Sequence, residues 1–190
     1  MEKYIPKTKE ELEKLVDDLD INLGDIDVSN VTDMTDLFFD TVREDFTGIE
    51  NWNVSNVTDM CGMFAFSGFN HDISKWNVSN VENMSYMFKC CEFNQDISNW
   101  NVSNVKDMYA MFKESSFNRD VSKWNISNVE DMSHMFENSY FNDDISKWVV
   151  SSVKNMYCMF NGSEFNGDIS EWKLNKNIII DDETLKRIKN

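Results

Sequence analysis

The sequence has little proline, glycine and histidine, and it lacks a long apolar run. Its 190 residues include one proline, six glycines and two histidines, a composition that argues against long flexible linkers. No segment approaches the roughly 18 consecutive apolar residues that a membrane-spanning helix requires. The opening MEKYIPKTKEELEKLV has neither a basic stretch followed by an apolar run nor a cysteine for lipid attachment. We therefore expect no signal peptide and no membrane insertion.

Basic residues are also scarce compared with acidic ones. The chain carries 18 Lys and Arg against 34 Asp and Glu, which gives a formal net charge of −16 at pH 7. Lys and Arg supply the affinity of proteins for phosphate groups, so this balance argues against nucleic acid and anionic membranes as partners. It leaves cationic partners and metal ions open.

What the sequence does contain is a unit of 24 residues that repeats along most of its length. The unit reads W-N-V-S-N-V-x-D-M-x-x-M-F-x-x-S-x-F-N-x-D-I-S-x. Because periodic apolar columns form the continuous core of stacked repeat proteins, we predict that the Trp, Met and Phe columns are buried. The columns are Trp52, Trp76, Trp100, Trp124, Trp148 and Trp172; Met60, Met84, Met108, Met132 and Met156; Phe64, Phe88, Phe112, Phe136 and Phe160; and Phe69, Phe93, Phe117, Phe141 and Phe165.

The two ends of the chain depart from the repeat. Thr8 begins a capping-box pattern with Glu11, and apolar residues then recur at helical spacing, which predicts a helix over residues 8–20. A degenerate first copy of the unit, from Ile26 to Asn51, contains two extra residues. After Trp172 we predict one last strand and a short helix. The predicted organisation is a single structural domain with an N-terminal capping helix and entry at 1–24, the repeat at 25–172 and a C-terminal cap at 173–190.

Each unit carries signals for local structure. In V-x-D-M-x-x-M-F the apolar positions have helical spacing. An N-cap asparagine precedes them and an acid lies in the first turn, as at Asn56 and Asp59. The stretch D-I-S-x-W-N-V is rich in β-favouring residues and predicts a short strand. The predicted fold class is therefore α/β: a leucine-rich-repeat-like solenoid of about six 24-residue coils, each with a short strand and a short helical turn.

The unit W-N-V-S-N-V-x-D-M-x-x-M-F, followed by F-N-x-D-I-S, resembles the BspA-like leucine-rich-repeat surface proteins over about Gly24 to Trp172. That group includes a repeat of unassigned function first catalogued in mycoplasma lipoproteins. The resemblance implies a bacterial surface protein, in some members one that adheres to host molecules, and it implies no enzymatic activity. It favours the cell surface or a secreted location, while the missing leader pattern leaves a cytoplasmic location open.

Polar columns accompany the apolar ones. Stacked aspartates could bind Ca²⁺ through several oxygens, but no glycine-rich calcium repeat accompanies them, and Asp also caps turns. We therefore favour capping and keep a calcium-dependent module as a third function. Two asparagine columns predict hydrogen-bonded ladders. The aspartates are Asp72, Asp96, Asp120, Asp144 and Asp168, and the asparagines are Asn53, Asn77, Asn101 and Asn125, and Asn70, Asn94, Asn118, Asn142 and Asn166.

Cysteine and histidine offer little catalytic chemistry. The four cysteines lack metal-ligand spacing and lie in different columns or distant units, so we expect free thiols. His134 and Cys158 share a column in adjacent units, as a nucleophile and its base would. No orienting residue or oxyanion donor accompanies them, and the same column holds Gly62, Tyr86 and Ala110. We predict no catalytic residue, no cofactor and no enzymatic activity.

The positions that vary between units are the predicted binding surface. Repeat proteins conserve core columns and vary exposed ones, and their extended faces suit recognition. We predict a protein partner, with self-assembly into a structural array as the alternative function. Two strips are candidates: Lys75, Asn99, Lys123, Lys147 and Glu171, just before each Trp, and His71, Gln95, Arg119 and Asp143, just before the aspartates.

Overall fold

The computed structural model describes residues 3–189 as a series of units stacked in chain order. Equivalent residues of successive units pair through isolated parallel bridges, from Asp33 with Asp59 to Asn155 with Ile179. Within these described residues, α-helices lie only near the two ends, α1 at Lys9–Asp17 and α2 at Asp182–Lys189. Two short 3₁₀ turns, Leu23–Asp25 and Ile49–Asn51, lie in the first part of the chain. No helix within residues 3–189 is long and apolar enough to cross a membrane.

The predicted α/β fold class is wrong. Between Trp52 and Asp181 the described chain contains turns and single bridges, with no helix and no strand. A leucine-rich-repeat-like solenoid built from a short strand and a short helical turn therefore does not describe this protein. The units are joined to one another by hydrogen bonds made from turns.

The segment predicted as a helical turn bonds to the next unit instead. The backbone N–H groups of Met84, Tyr86, Phe88 and Cys90 each donate to a carbonyl 23 residues later, at N···O distances of 2.8–3.0 Å. In an α-helix each N–H would donate to the carbonyl four residues earlier. Tyr86 and Cys90 have φ angles of 58° and 50°, in the left-handed region. A right-handed helix cannot run through such residues.

The segment predicted as a strand folds into consecutive tight turns. The N–H of Trp76 donates to the carbonyl of Ile73 at 3.1 Å, and the N–H of Val81 donates to that of Val78 at 3.0 Å. These turns leave no run of extended residues that could form a ladder of several bridges. The β-branched and aromatic residues of this stretch pack in the core. They do not require a strand, because such residues are favoured on any half-buried surface.

The Trp, Met and Phe columns form one continuous core, as predicted. The Met column is fully buried, and the Trp side chains are only 4–6% exposed. Rings of successive units stack, with centroids 5.7–6.0 Å apart along the column that starts at Phe64 and Phe88. The indole N–H of Trp100 donates to the carbonyl of Ile73 at 3.2 Å, and the same carbonyl accepts the backbone N–H of Trp76. Both acceptor sites of that buried oxygen are thereby used.

The predicted N-terminal helix is present but shorter than residues 8–20. Thr8 is its N-cap and accepts the N–H of Glu11 at 3.3 Å, while the Glu11 carboxylate accepts the N–H of Lys7 at 2.7 Å. Thr8 thereby satisfies one of the N–H groups that the first turn of a helix leaves free, and Glu11 binds the backbone just before the N-cap.

Arg43, in the degenerate first copy, fastens the end of α1 to the stack. Its buried guanidinium donates to the carbonyls of Val16 at 3.0 Å, Asp18 at 2.6 Å and Ile21 at 3.3 Å. The carbonyls of Val16 and Asp18 lie at the helix end, where a positive charge is favourable, and that of Ile21 lies just beyond it. At the other end of the chain, the predicted last strand is a single bridge at Ile179, and the predicted helix is α2.

Candidate functional site

Both predicted strips lie on the corner that carries the aspartate column. A cavity of about 460 Å³ is lined by Asp143 of one strip, Lys147 and Glu171 of the other, and Asp144 and Asp168 of the column. All members of the Lys75 strip are exposed, and in the His71 strip Arg119 is exposed and the others are partly exposed. The structure therefore brings the two strips and the column together.

Several side chains of the His71 strip bond to the preceding unit. The Gln95 amide nitrogen donates to the backbone carbonyl of Asn70 at 3.1 Å, and the Arg119 Nε donates to that of Asn94 at 2.8 Å. The ring of His71 lies 5.6 Å from that of Phe46. These contacts hold the strip against the stack and reduce the number of groups available to a partner.

The aspartate column caps turns, as predicted. Each Oδ1 accepts the backbone N–H of the serine two residues later at 2.8–2.9 Å, beginning with Asp72 and Ser74. Backbone and side-chain hydrogen bonds from that serine lower the pKa of every carboxyl in the column. In the part of the chain that the structure describes, no group of three or more His, Cys, Asp or Glu side chains could hold a metal ion.

The two predicted asparagine ladders have different outcomes. The column that begins at Asn70 forms a ladder, because each side-chain oxygen accepts the N–H of the next asparagine at 2.9–3.0 Å. The column of Asn77 forms local turns instead, since its Oδ1 accepts the N–H of Ser79 at 3.2 Å. A different column carries the second ladder: Asn80 donates to the carbonyl of Ser55 at 2.7 Å, and later units repeat this bond.

The ring of His134 contacts Glu137 and is not hydrogen-bonded to Cys158 in the described residues. The Nδ1 of His134 lies 2.6 Å from Oε2 of Glu137, and the same oxygen accepts Lys113 Nζ at 2.6 Å. Burial raises the pKa of Glu137, but the hydrogen bonds from Lys113 and His134 outweigh it and lower that pKa. No hydrogen bond joins His134 to Cys158 among residues 3–189, and all four cysteines are free thiols.

A groove near α1 was not predicted. It consists of two adjoining cavities, of about 370 and 330 Å³, that share Asp36 and Phe39. We call them together the N-terminal groove. Besides the shared pair, the first cavity is lined by Glu13, Asp17, Leu19, Leu37, Asp40, Thr41 and Val42, and the second by Cys61, Gly62, Ala65, Phe66, Tyr86 and Lys89.

The N-terminal groove concentrates exposed apolar side chains. Leu19, Phe39, Val42 and Phe66 are 57%, 50%, 81% and 44% exposed, and they are four of the ten large apolar side chains that are exposed in the described chain. The Phe39 and Phe66 rings meet edge to face at 5.4 Å. Clustered exposed apolar surface of this kind is typical of interaction sites.

The groove also has a one-sided charge. Four carboxylates line it, those of Glu13, Asp17, Asp36 and Asp40, and Lys89 is the one amine among the lining residues. Glu13 is paired with Lys9 on α1 at an N···O distance of 3.5 Å, so the other three carboxylates carry most of the charge of the groove. Burial and a hydrogen bond with Tyr109 raise the pKa of Tyr86 to about 12, so this lining phenol is neutral at physiological pH. Burial raises the pKa of the Cys61 thiol as well, so it adds no charge at neutral pH.

Gly62 gives Asp36 its place in the groove. Gly62 has a φ of 62°, and a Cβ built on it would collide with Oδ1 of Asp36. Ala110 occupies the same column two units later with a φ of 51°, so this backbone conformation tolerates a methyl group. The glycine at position 62 therefore leaves the space that the Asp36 carboxylate occupies.

One signal in the sequence points to the groove. Phe39 stands in the column of Lys89 and Lys113, and Phe66 stands in the column of Cys90 and Glu114. A phenylalanine in a column that is mostly polar elsewhere does not belong to the periodic core. The four carboxylates carry no such signal, because they lie in α1 and in the degenerate first copy.

Comparison with known families agrees with the repeat. A family model described as "Mycoplasma protein of unknown function, DUF285" matches residues 10–116 and 92–185, which together cover most of the chain. No curated protein and no solved structure matches the chain. The family match does not reach the finer likeness to BspA-like leucine-rich-repeat proteins. The chain belongs to the DUF285 family, a mycoplasma-type repeat family of unknown function.

Proposed function

We propose that this protein is a non-enzymatic recognition module that binds a protein partner in the N-terminal groove. The observation that carries the proposal is the clustering of four exposed apolar side chains, Leu19, Phe39, Val42 and Phe66, around two adjoining cavities. Exposed apolar clusters rimmed by polar groups are typical of protein-binding surfaces. The adhesion known for some BspA-like proteins, which the repeat resembles, agrees with such a role.

The backbone beneath the groove supports this proposal because it is already ordered. The N–H groups of Asp36, Phe38 and Asp40 donate to carbonyls of the following unit at 2.8–2.9 Å. Those of Gly62 and Phe66 do the same at 2.8 Å. A surface that is held in its binding shape loses less conformational entropy when a partner binds.

The corner strips are a second candidate surface for the same function. Every member of the Lys75 strip is exposed, and its three lysines present amines beside the aspartate column. If the partner binds there, changing Lys75, Lys123 and Lys147 to Glu should abolish binding while the Tm stays nearly unchanged. If the groove is the site, the same triple change should leave binding intact.

Site-specific photo-crosslinking tests the proposed site. We would place p-benzoylphenylalanine at Val42, which is 81% exposed in the groove, or at Val149, which is 57% exposed elsewhere. We expect the Val42 variant alone to form a crosslinked species with a second protein in extracts of the source cells or of cells they contact. Crosslinks from Val149 alone would contradict the groove as the site. A crosslinked species of twice the chain's mass would indicate self-assembly instead.

A further inference from the structure

We infer that the occupant of the N-terminal groove is a cationic segment of the partner, in which Arg or Lys side chains alternate with apolar ones. This inference rests on the proposed function, because it names the chemistry of the protein that the groove would bind. Three features of the groove carry it: its carboxylates, its aromatic rings and its exposed aliphatic rim.

The carboxylates of the groove argue against an anionic or an uncharged occupant. Asp17, Asp36 and Asp40 line the two cavities, as does Glu13, which already pairs with Lys9 at 3.5 Å. The chain's net charge of −16 offers the other three little compensation. An anionic segment would be repelled. A purely apolar segment would cover these carboxylates without pairing them, and burying unpaired charge is strongly unfavourable. A cationic segment is not repelled and pairs the carboxylates that it covers. Long-range attraction would also speed its association.

The aromatic rings already bind a cation within the chain. The amine of Lys89 lies 5.0 Å from the centroid of the Phe66 ring and 5.4 Å from that of Tyr86. The half-exposed ring of Phe39 carries no such amine among the residues that the structure describes, and Asp36 lines the same cavities. A ring face beside a carboxylate suits a guanidinium, which stacks on the ring and pairs with the acid.

The exposed aliphatic rim of the groove requires apolar side chains in the partner. Leu19 and Val42 line the first cavity together with the carboxylates, and both are more than half exposed. A segment of hydrophilic cations alone would leave this apolar surface in water. Apolar side chains between the cations would cover Leu19 and Val42 and add hydrophobic stabilisation.

Three labelled peptides of twelve residues test the chemistry directly. In the first, Arg and Leu alternate; in the second, Glu replaces every Arg; in the third, Ser replaces every Leu. We expect fluorescence anisotropy with the full chain to show binding of the Arg–Leu peptide, weaker binding of the Arg–Ser peptide, and none of the Glu–Leu peptide. Equal binding of the Arg–Leu and Glu–Leu peptides, or no binding of the Arg–Leu peptide, would overturn the inference.

Paired variants separate the groove from general charge attraction. Asp36→Asn with Asp40→Asn removes two groove carboxylates, and we expect the Arg–Leu peptide to bind about tenfold more weakly. Asp120→Asn with Asp144→Asn removes the same charge from the corner, where Asn can still accept the serine N–H of each turn. That control should change the affinity by less than about twofold, as expected for distant, screened charges. Equal losses would reduce the effect to net charge and overturn the inference.

A second pair of variants moves a carboxylate without removing it. In Gly62→Ala the new methyl group collides with Asp36 Oδ1, whereas in Gly162→Ala it collides with Oδ1 of Asn138, outside the groove. Both glycines have φ near 60°, so the two changes strain the backbone alike. We expect only Gly62→Ala to weaken Arg–Leu peptide binding; equal affinities would contradict a role for Asp36. If all peptide tests fail while Val42 still crosslinks a partner, the recognition proposal stands and the cationic occupant does not.

Discussion

Aspartates in this stack have opposite effects on stability, according to whether the turns bury or expose them. Asp107 is half-buried in the bridge column, and burial, together with the neighbouring carboxylates of Asp131 and Asp59, raises its pKa. Asp120 is exposed at the corner, where side-chain and backbone hydrogen bonds from Ser122 lower its pKa. Ionisation of the Asp107 carboxylate lowers the free energy of unfolding, whereas ionisation of the Asp120 carboxylate raises it.

Replacing Asp107 by Asn should stabilise the protein by roughly 0.5–1 kcal/mol at pH 7. Asn83 and Asn155 already occupy this column, so it accepts an amide, and the change removes the repulsion between the Asp107 carboxylate and those of Asp131 and Asp59. Because the folded-state pKa of Asp107 is raised, the gain exists above that pKa and disappears as the pH falls through it. Urea unfolding of Asp107→Asn and wild type at pH 7 and at about pH 4 measures both effects.

Asp120→Asn is the matched control for that measurement. Because the folded-state pKa of Asp120 is lowered, its contribution is present above the unfolded-state pKa and is lost as the pH falls through the folded-state value. The variant should therefore be slightly less stable than wild type at pH 7 and equal to it in acid. Two variants that lost the same stability at pH 7 would contradict the opposite roles of the two carboxylates.

The left-handed residues provide a second test at this scale. Glu114 has a φ of 55°, and the same column holds Asn138 at 51° and Gly162 at 65°. Asn adopts this conformation readily and a β-branched residue does not. We expect Glu114→Asn to be as stable as wild type or more so, and Glu114→Val to be less stable than Glu114→Asn by about 1–2 kcal/mol. Thermal unfolding compares the two.

The comparison isolates the backbone because both variants lose the same side-chain contacts. These are a 4.0 Å ion pair with Lys113 and a 3.4 Å hydrogen bond from the Cys90 thiol. Equal stabilities of Glu114→Asn and Glu114→Val would mean that φ at this column does not limit stability.

At the scale of elements, the repeat is a set of turns, and the α-helices of the described chain flank it. The turns are fixed by two kinds of contact: local side-chain acceptors such as Asp72, and backbone bonds to the adjacent unit such as that from Phe88 to Met111 at 3.0 Å. The α1 helix is attached to this stack through Arg43 and supplies one wall of the N-terminal groove. The wall of the groove that α1 supplies is thus held by the Arg43 guanidinium and by the buried side chains of Leu12 and Val16.

The sequence predicts the elements that are decided locally. The burial of the Trp, Met and Phe columns follows from their period, and α1 follows from Thr8 and Glu11, because caps and apolar spacing act within a few residues. The spacing of Val57, Met60 and Phe64 suits a helix as well as it suits these turns. The decision is made by hydrogen bonds to a unit 23 residues away, and a local pattern does not report them.

The candidate site was predictable only in part, for a related reason. The turn-capping aspartates and their neighbours on the corner recur with the period, so the sequence places them together. The N-terminal groove combines α1, the irregular first copy and later units that hold Phe66 and Lys89. Such a site has no period of its own, and its acids lie where the repeat pattern is weakest.

Arg43→Lys should destabilise the protein and release α1. A lysine has one nitrogen and cannot reach the carbonyls of Val16, Asp18 and Ile21 together, so buried acceptors lose their donors. We expect a loss of about 1–3 kcal/mol in the free energy of unfolding and faster hydrogen exchange across α1 than across the repeats.

Arg119→Lys provides the control for Arg43→Lys. Arg119 is exposed and its Nε makes one bond, to the carbonyl of Asn94 at 2.8 Å, so we expect a change within about 0.5 kcal/mol. If Arg43→Lys left exchange across α1 unchanged, the helix would be held by packing of Leu12 and Val16 instead of by the guanidinium.

At the scale of the whole molecule, each unit is bonded to its immediate neighbours. The backbone bonds between units and the ion pairs from Lys106 to Glu82 and from Lys154 to Glu130, both at 2.6 Å, join residues about one unit apart. In repeat proteins with such contacts, stability is close to a sum of unit and nearest-neighbour terms. A groove at one end should therefore be insensitive to the number of units at the other.

Deleting one complete unit tests this consequence and the location of the groove together. Removal of residues 125–148 joins Trp124 to Val149 in register, whereas removal of 77–100 brings Ala110 and Lys113 to the places of Tyr86 and Lys89. Each deletion shortens the stack equally. The 77–100 deletion removes Glu82, the partner of Lys106, and the 125–148 deletion removes Glu130 and Glu137, the partners of Lys154 and Lys113. Ion pairs near the surface contribute little to stability. We expect both proteins to fold, with somewhat lower Tm values, because neither deletion changes the columns that form the core.

The two deletions should differ in binding. The 125–148 deletion should bind the Arg–Leu peptide with wild-type affinity, and the 77–100 deletion should bind it more weakly, since it loses the Tyr86 wall of the second cavity. Near-ultraviolet circular dichroism would verify the stacked aromatic core before anisotropy is measured. Unfolding of the 125–148 deletion would mean that stability extends beyond neighbouring units. Equal weakening in both would mean that the binding surface follows the length of the stack, as the corner strips do, and would move the site from the groove to that corner.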